Sequence, residues 1–186
     1  EARQLFSDVL EQQPQMDSAR NGLAKVLMRM GRADEAAIQY LTLVENKPGN
    51  KLYRLNLAIC LIQQENYAEA LQHAFQLGYE HPDDSNVKRV LAWCLIHSDK
   101  KEQAIKEYET LTDRNDAVKD DFLNAGYCLW INGRLPAAIS SFRKYISMCE
   151  RNKGKELLRK EWDKEAAFLA SHGIDDYQRN MLLDVL

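Results

Sequence analysis

Three segments of this chain are near-copies of one another: NLAICLI at 56–62, VLAWCLI at 90–96 and NAGYCLW at 124–130. Their cysteines, Cys60, Cys94 and Cys128, lie 34 residues apart. A fixed period of this length constrains a fold more than any local propensity, because each unit must bury its apolar face against the next. With position 1 set at Asp17, Lys51, Ser85 and Lys119, four copies align over residues 17–152 without a gap. Position 8 holds Ala24, Ala58, Ala92 and Gly126, and position 20 holds Ala36, Ala70, Ala104 and Ala138. Position 24 holds Tyr40, Ala74, Tyr108 and Phe142, and position 27 holds Leu43, Leu77, Leu111 and Tyr145. Pro48 and Pro82 stand at position 32 in the first two copies.

Each copy reads as two amphipathic helices. Leu23, Leu27 and Met30 recur at helical spacing in the first, and Gly31 ends it as Gly133 does in the fourth copy. The second helix is expected from about Asp34 to Asn46, with Pro48 as a stop. Pro136 falls in the first turn of its helix, where a missing N–H is tolerated. Small residues at positions 8 and 20 let the two helices approach closely. A bulky side chain there would cost about 1–3 kcal/mol.

These features resemble the tetratricopeptide repeat, a helix–turn–helix unit of this period, over residues 17–152. The resemblance implies an all-α fold, a right-handed superhelix (α-solenoid) of helix–turn–helix repeats. It departs at position 4, where the family often has Trp and this chain has Arg20, Arg54, Lys88 and Phe122. Ala2, Phe6, Val9 and Pro14 continue the register backwards at positions 20, 24, 27 and 32. The solenoid is therefore expected over 1–152, starting inside a repeat at its second helix, as a piece of a longer protein. Residues 153–186 leave the register and are expected to form C-terminal capping helices. Leu158, Trp162, Ala166 and Leu169 make a stripe in a helix of about 155–171, stopped at His172-Gly173. Asp175 then caps a last helix carrying Tyr177, Met181, Leu182 and Val185. The alternatives are a tail folded into the groove or docked on another subunit, which would make a homo-oligomer.

Net charge is −3 over 186 residues, with a pI near 5.9. No strong basic field exists to draw nucleic acid or an anionic membrane. The longest purely apolar run, Leu91–Ile96, is far too short for membrane insertion. The repeated cysteines fall at position 10, where the first copy has Val26, so interior packing is expected. Equivalent positions on stacked helices sit about 8–10 Å apart, beyond the roughly 7 Å that a disulfide spans. Free cysteines fit a reducing, cytoplasmic compartment, with room left for a leader upstream. His73, His81, His97 and His172 share no spacing, and the Cys94/His97 pair lacks the further ligands of a metal site. With no phosphate loop, zincin pair or nucleophile elbow, the expectation is no enzyme, no catalytic residue, no metal and no cofactor.

The resemblance implies that positions 2, 5, 6, 9, 12 and 13 face an inner groove. Leu55, Ile59, Ile62, Trp93, Ile96, Leu123, Tyr127 and Trp130 would form an apolar stripe there, of the kind that marks a binding site. The candidate peptide-binding residues are Asn56, Ile59, Arg89, Trp93, Asn124, Tyr127 and Trp130. Ile59, Trp93, Tyr127 and Trp130 would anchor apolar side chains. Asn56 and Asn124 would hold a peptide backbone, since an amide both donates and accepts. Arg89 would read an acidic group. The expected function is a non-catalytic scaffold binding a peptide or partner helix. The alternatives are a structural solenoid or oligomerisation segment with a self-filled groove, and an accessory module of a larger multidomain protein. The carboxylate-clamp subclass, which holds acidic chaperone tails, matches only at Asn56, so no chaperone-tail binding is expected.

Overall fold

The computed structural model describes residues 1–150 and 153–186. Arg151 and Asn152, expected at the end of the fourth repeat, lie outside the described residues. The described residues form twelve α-helices and no strand, an all-α helical repeat. They divide into two compact units, Glu1–Ser98 and Asp99–Leu186. The division falls inside the third repeat, between its first and second helices.

The first unit holds α1 (Ala2–Gln12), α2 (Asp17–Arg29), α3 (Ala33–Asn46), α4 (Lys51–Gln63), α5 (Tyr67–Glu80) and α6 (Ser85–His97). Each helix packs on the next, and α4 also meets α6. The second unit holds α7 (Lys101–Thr112), α8 (Lys119–Ile131), α9 (Leu135–Met148), α10 (Gly154–Lys164), α11 (Ala166–Ser171) and α12 (Asp176–Val185). Here α7 packs on α8, α8 on α9 and α9 on α10, and α10 meets α11 and α12.

The register is the core. The alanines of positions 8 and 20 are fully buried, as are Tyr40, Tyr108, Phe142, Leu43, Leu77, Leu111 and Tyr145 of positions 24 and 27. At Gly126 the reason for a small residue is direct. A Cβ there would stand 2.4 Å from Cε1 of Phe142.

Helix starts follow side-chain chemistry. Oδ1 of Asn50 accepts from the backbone N–H groups of Leu52 and Tyr53 at 3.0 and 3.2 Å, capping α4. Asp84 does the same for α6 through Asn86 and Val87 at 2.9 and 3.2 Å. Its other oxygen takes Lys51 Nζ at 2.7 Å, tying the start of α4 to the start of α6. That hydrogen bond, with the cap bonds behind it, holds the Asp84 carboxyl below its ordinary range. Asp175 caps α12 as expected, in a reciprocal box with Gln178 at 2.9 and 2.6 Å.

The arginines at position 4 of the first two complete repeats link each of them to the one before it. Arg20 Nη2 donates to the carbonyl of Pro14 at 2.7 Å, and Arg54 Nη2 to that of Pro48 at 2.6 Å. Both prolines stand at position 32 of the preceding repeat. Arg20 also reaches Gln39 Oε1 at 2.9 Å, and Arg54 reaches Glu80 at 3.1 Å. Arg54 is only 6% exposed, so the guanidinium fills as a bonded wedge the place where the family often puts an indole.

The helix expected at about 155–171 is two helices. The chain turns at Glu165 (φ −94°, ψ 15°), between α10 and α11, where neither glycine nor proline marks a break.

Position 15 is left-handed in all four copies. Gly31 (φ 72°) and Gly133 (φ 71°) adopt it freely, but Glu65 (φ 58°) and Asp99 (φ 56°) carry a Cβ into the same turn. A left-handed non-glycine residue costs about 1–2 kcal/mol, partly offset by the unfolded-state entropy of glycine. Glu65→Gly is therefore expected to stabilise the protein by about 0.5–1 kcal/mol in urea unfolding. An unchanged or lower midpoint would show that Glu65 gains more from its surroundings than the turn costs.

Candidate functional site: the inner face of the first helices

In the Glu1–Ser98 unit the first helices α4 and α6 touch, which brings their predicted groove positions onto neighbouring surfaces. Asn56 and Ile59 on α4 and Arg89 and Trp93 on α6 are all half-buried, held by the scaffold with part of each side chain open. Ile62 is half-buried too, and Leu52 is well exposed. Lys25 and Arg29 are exposed on α2. Arg89 Nη1 donates to Asn86 Oδ1 at 3.1 Å, one turn away on its own helix. Trp93 has an aromatic neighbourhood of its own. The ring of His97, at groove position 13, lies 4.7 Å from the Trp93 ring, and the Tyr67 ring stacks on His97 at 4.0 Å, nearly parallel. Tyr67 begins the second helix, so a pattern confined to first helices could not find it. Leu55 and Ile96, expected on the wall, are buried and belong to the core.

In the Asp99–Leu186 unit the picture differs. Asn124 is half-buried. Tyr127, expected as a ligand anchor, is 1% exposed and is a core residue, as is Leu123. The Tyr127 ring meets Phe142 edge-on at 6.0 Å. Burial first, then the carboxylates of Glu165 and Glu161, push its phenol up. Trp130 is half-buried, with its ring 5.9 Å from Phe142 and 5.1 Å from Trp162 of α10. Trp162 lies 5.2 Å from Phe142 and closes the cluster. The C-terminal helices thus occupy the aromatic surface that the repeat alone would leave open. Beside this cluster Trp130, Leu135, Ile139, Met181, Leu182 and Val185 line an apolar cleft of about 320 Å³.

The repeated cysteines lie in the core. All four cysteines are free, and Cys60, Cys94 and Cys128 are buried. Burial pushes their thiols up to about 12. Among the described residues no group of three or more His, Cys, Asp or Glu side chains could hold a metal ion. No helix among them is long and apolar enough to cross a membrane. The first-unit surface offers an amide, aliphatic and aromatic faces and cations, which is the chemistry of binding.

Two tetratricopeptide repeat sequence profiles match the chain, one at residues 1–54 and 35–94 and the other at 91–153. The chain belongs to the tetratricopeptide repeat family. Members of this family serve protein interaction in general, and its fold is typically a non-catalytic scaffold. No curated protein sequence matches the chain. Among solved structures it is similar to YrrB, described as a TPR protein with an unusual peptide-binding site. The identity is 17%, with 85% of this chain and 81% of that one covered and a TM-score of 0.68. It is similar to the thermophilic TPR protein TTC0263 of Thermus thermophilus at 16% identity, covering 87% of each chain with a TM-score of 0.67. It is also similar to pilF of Pseudomonas aeruginosa at 20% identity, covering 91% of this chain and 78% of that one with a TM-score of 0.65. At these identities the shared property is the fold.

The thiol chemistry is directly checkable. A thiol with a pKa of about 12 is ionised to about 1 part in 10⁴ at pH 8. Titration of the native tetratricopeptide repeat protein with dithiobis-nitrobenzoate is expected to release one fast equivalent, from half-buried Cys149, and the rest only in denaturant. Fast release from Cys94 would contradict its place in the core.

Proposed function

We propose that this tetratricopeptide repeat protein is a non-catalytic scaffold that binds an extended peptide or a partner helix. The ligand lies along the inner face of the first helices in the Glu1–Ser98 unit. The observation that carries this reading is the half-buried set Asn56, Ile59, Arg89 and Trp93 on the touching helices α4 and α6. Ile59 and Trp93 anchor apolar side chains, Asn56 brackets a peptide unit, and Arg89 meets a carboxylate. Exposed Lys25 and Arg29 extend the positive character of this face, which favours ligands with acidic residues. The peptide-binding site for which YrrB is described supports the same use of the fold. The proposed working place is the cytoplasm, where buried free thiols are stable.

For the Asp99–Leu186 unit the structural reading is favoured. There Tyr127 is packed inside, and Trp130 is engaged with Phe142 and Trp162. Asn124 remains the one predicted residue of this unit with an accessible polar head for a ligand backbone.

Selection from a displayed random-peptide library on the immobilised wild-type chain tests the proposal. Selected peptides are expected to share an aromatic or aliphatic residue near an acidic one. They should bind Trp93→Ala and Asn56→Ala about tenfold or more weakly, equivalent to about 1.4 kcal/mol. Asn124→Ala should have a smaller effect. Enrichment of no peptide, or equal binding by both variants with helicity intact, would sink the groove reading.

A further inference from the structure

A second surface lies on the opposite side of the same unit, on the second helices α3 and α5. The buried face of α3 carries Ala36, Tyr40 and Leu43, and that of α5 carries Ala70, Ala74 and Leu77. Both helices pack on α4 through these faces. On their outward faces stand Ile38 and Leu41 of α3, 62% and 44% exposed, and Phe75 and Tyr79 of α5, 45% and 90% exposed. Leu41 and Phe75 occupy the same register position, 25, in consecutive repeats. Isolated exposed apolar residues are ordinary; here four large ones stand on the outward faces of two consecutive second helices that both pack on α4.

The charged side chains within these two helices have one sign. Helix α3 carries Asp34, Glu35 and Glu45, helix α5 carries Glu69 and Glu80, and neither contains a lysine or arginine. The nearby cations are already engaged. Arg32 pairs with Glu35, Arg54 with Glu80, and Lys47 with Asp17. Glu69 accepts from the Asn66 side chain at 2.8 Å. Asp34 and Glu45 have no cation partner among the described residues. His73 stays neutral near pH 7, since burial first of all holds its pKa below the ordinary imidazole value. On the inner face, by contrast, Lys25, Arg29 and Arg89 are cationic. The two faces of one unit therefore differ in the sign of their charge.

We infer that the outward face of α3 and α5 is a second docking surface, and that its occupant is a cationic amphipathic helix of a partner protein. The partner's apolar stripe covers Ile38, Leu41, Phe75 and Tyr79. Its flanking lysines or arginines meet Asp34, Glu45 and Glu69. Association is steered by charge and held by apolar burial, so it weakens with salt without vanishing.

The probe is a fluorescein-labelled amphipathic helix of lysine and leucine, read by anisotropy, with a glutamate–leucine counterpart of the same length as control. The wild-type chain is expected to bind the lysine peptide on the outward face, while any binding of the glutamate peptide should go to the inner groove, lost in Trp93→Ala and kept in the outward-face variants. Phe75→Ser/Tyr79→Ser and, separately, Asp34→Lys/Glu45→Lys are each expected to weaken binding about tenfold or more. All four positions are exposed, and helicity by circular dichroism confirms that the variants fold. Trp93→Ala should leave the lysine peptide's affinity unchanged, which separates this surface from the inner groove. Equal binding of the lysine peptide by wild type and both outward-face variants would overturn the inference. Loss of binding in Trp93→Ala alone would overturn it by placing the peptide in the groove. Sedimentation showing a wild-type dimer that Phe75→Ser/Tyr79→Ser dissolves would overturn the assigned occupant in favour of a second copy.

Discussion

The structure depends on an absence of side chain where two helices of a repeat cross. Position 8 on the first helix and position 20 on the second carry only alanine or glycine. The space they leave is taken by a large residue at position 24 or 27. Gly126 shows the constraint at its tightest, because the Phe142 ring already lies where a Cβ would go. Phe142 cannot retreat, since Tyr127, Trp130 and Trp162 surround it. Close packing of this kind transmits any change in volume to its neighbours. The same cluster that builds the fourth repeat therefore holds Tyr127 in the core and ties Trp130 to Phe142 and Trp162.

The two units differ in what stays exposed on their first helices. In Glu1–Ser98 the interlock is made by alanines with Tyr40 and Leu43, and with Leu77, which leaves Ile59 and Trp93 partly open. In Asp99–Leu186 the C-terminal helices add Leu158, Trp162 and Leu169 to the core, and Trp162 packs on Trp130. α12 buries Leu182 and is also tied by hydrogen bonds. Arg143 and Lys155 donate to the carbonyls of Val185 and Leu183 at 3.0 and 3.1 Å, where cations suit the end of a helix. Arg179 of α12 donates to the carbonyl of Trp162 at 3.2 Å.

Much of the fold was legible because a gapless period is a strong signal. The 34-residue spacing, the small residues at positions 8 and 20, and the cap at Asp175 each name a physical requirement that the structure meets. What stayed hidden depends on neighbours distant in sequence. Tyr127 shares its register position with Ile59 and Trp93, yet it is buried beside residues that no repeat pattern encodes. Leu55, Ile96 and Leu123 look like wall residues by spacing and serve the core. Tyr67 joins the surroundings of Trp93 from another helix, by stacking on His97. Glu65 and Asp99 hide the left-handed turn that glycine announces at Gly31 and Gly133. The arginines of position 4 read as a departure from the family, and only their bonds to Pro14 and Pro48 reveal them as links between repeats.

The interlock is tested most directly by a double-mutant cycle at the closest contact. Urea unfolding would be measured for wild type, Gly126→Ala, Phe142→Val and the double variant. Gly126→Ala alone is expected to destabilise the protein by about 1–3 kcal/mol, although alanine is the better helix former by about 1 kcal/mol. In the Phe142→Val background the ring is gone, and the same substitution should become neutral or stabilising, a coupling of about 1–3 kcal/mol. Additive effects would mean that the ring and the missing side chain do not interlock, and that the small residues of the register are there for another reason.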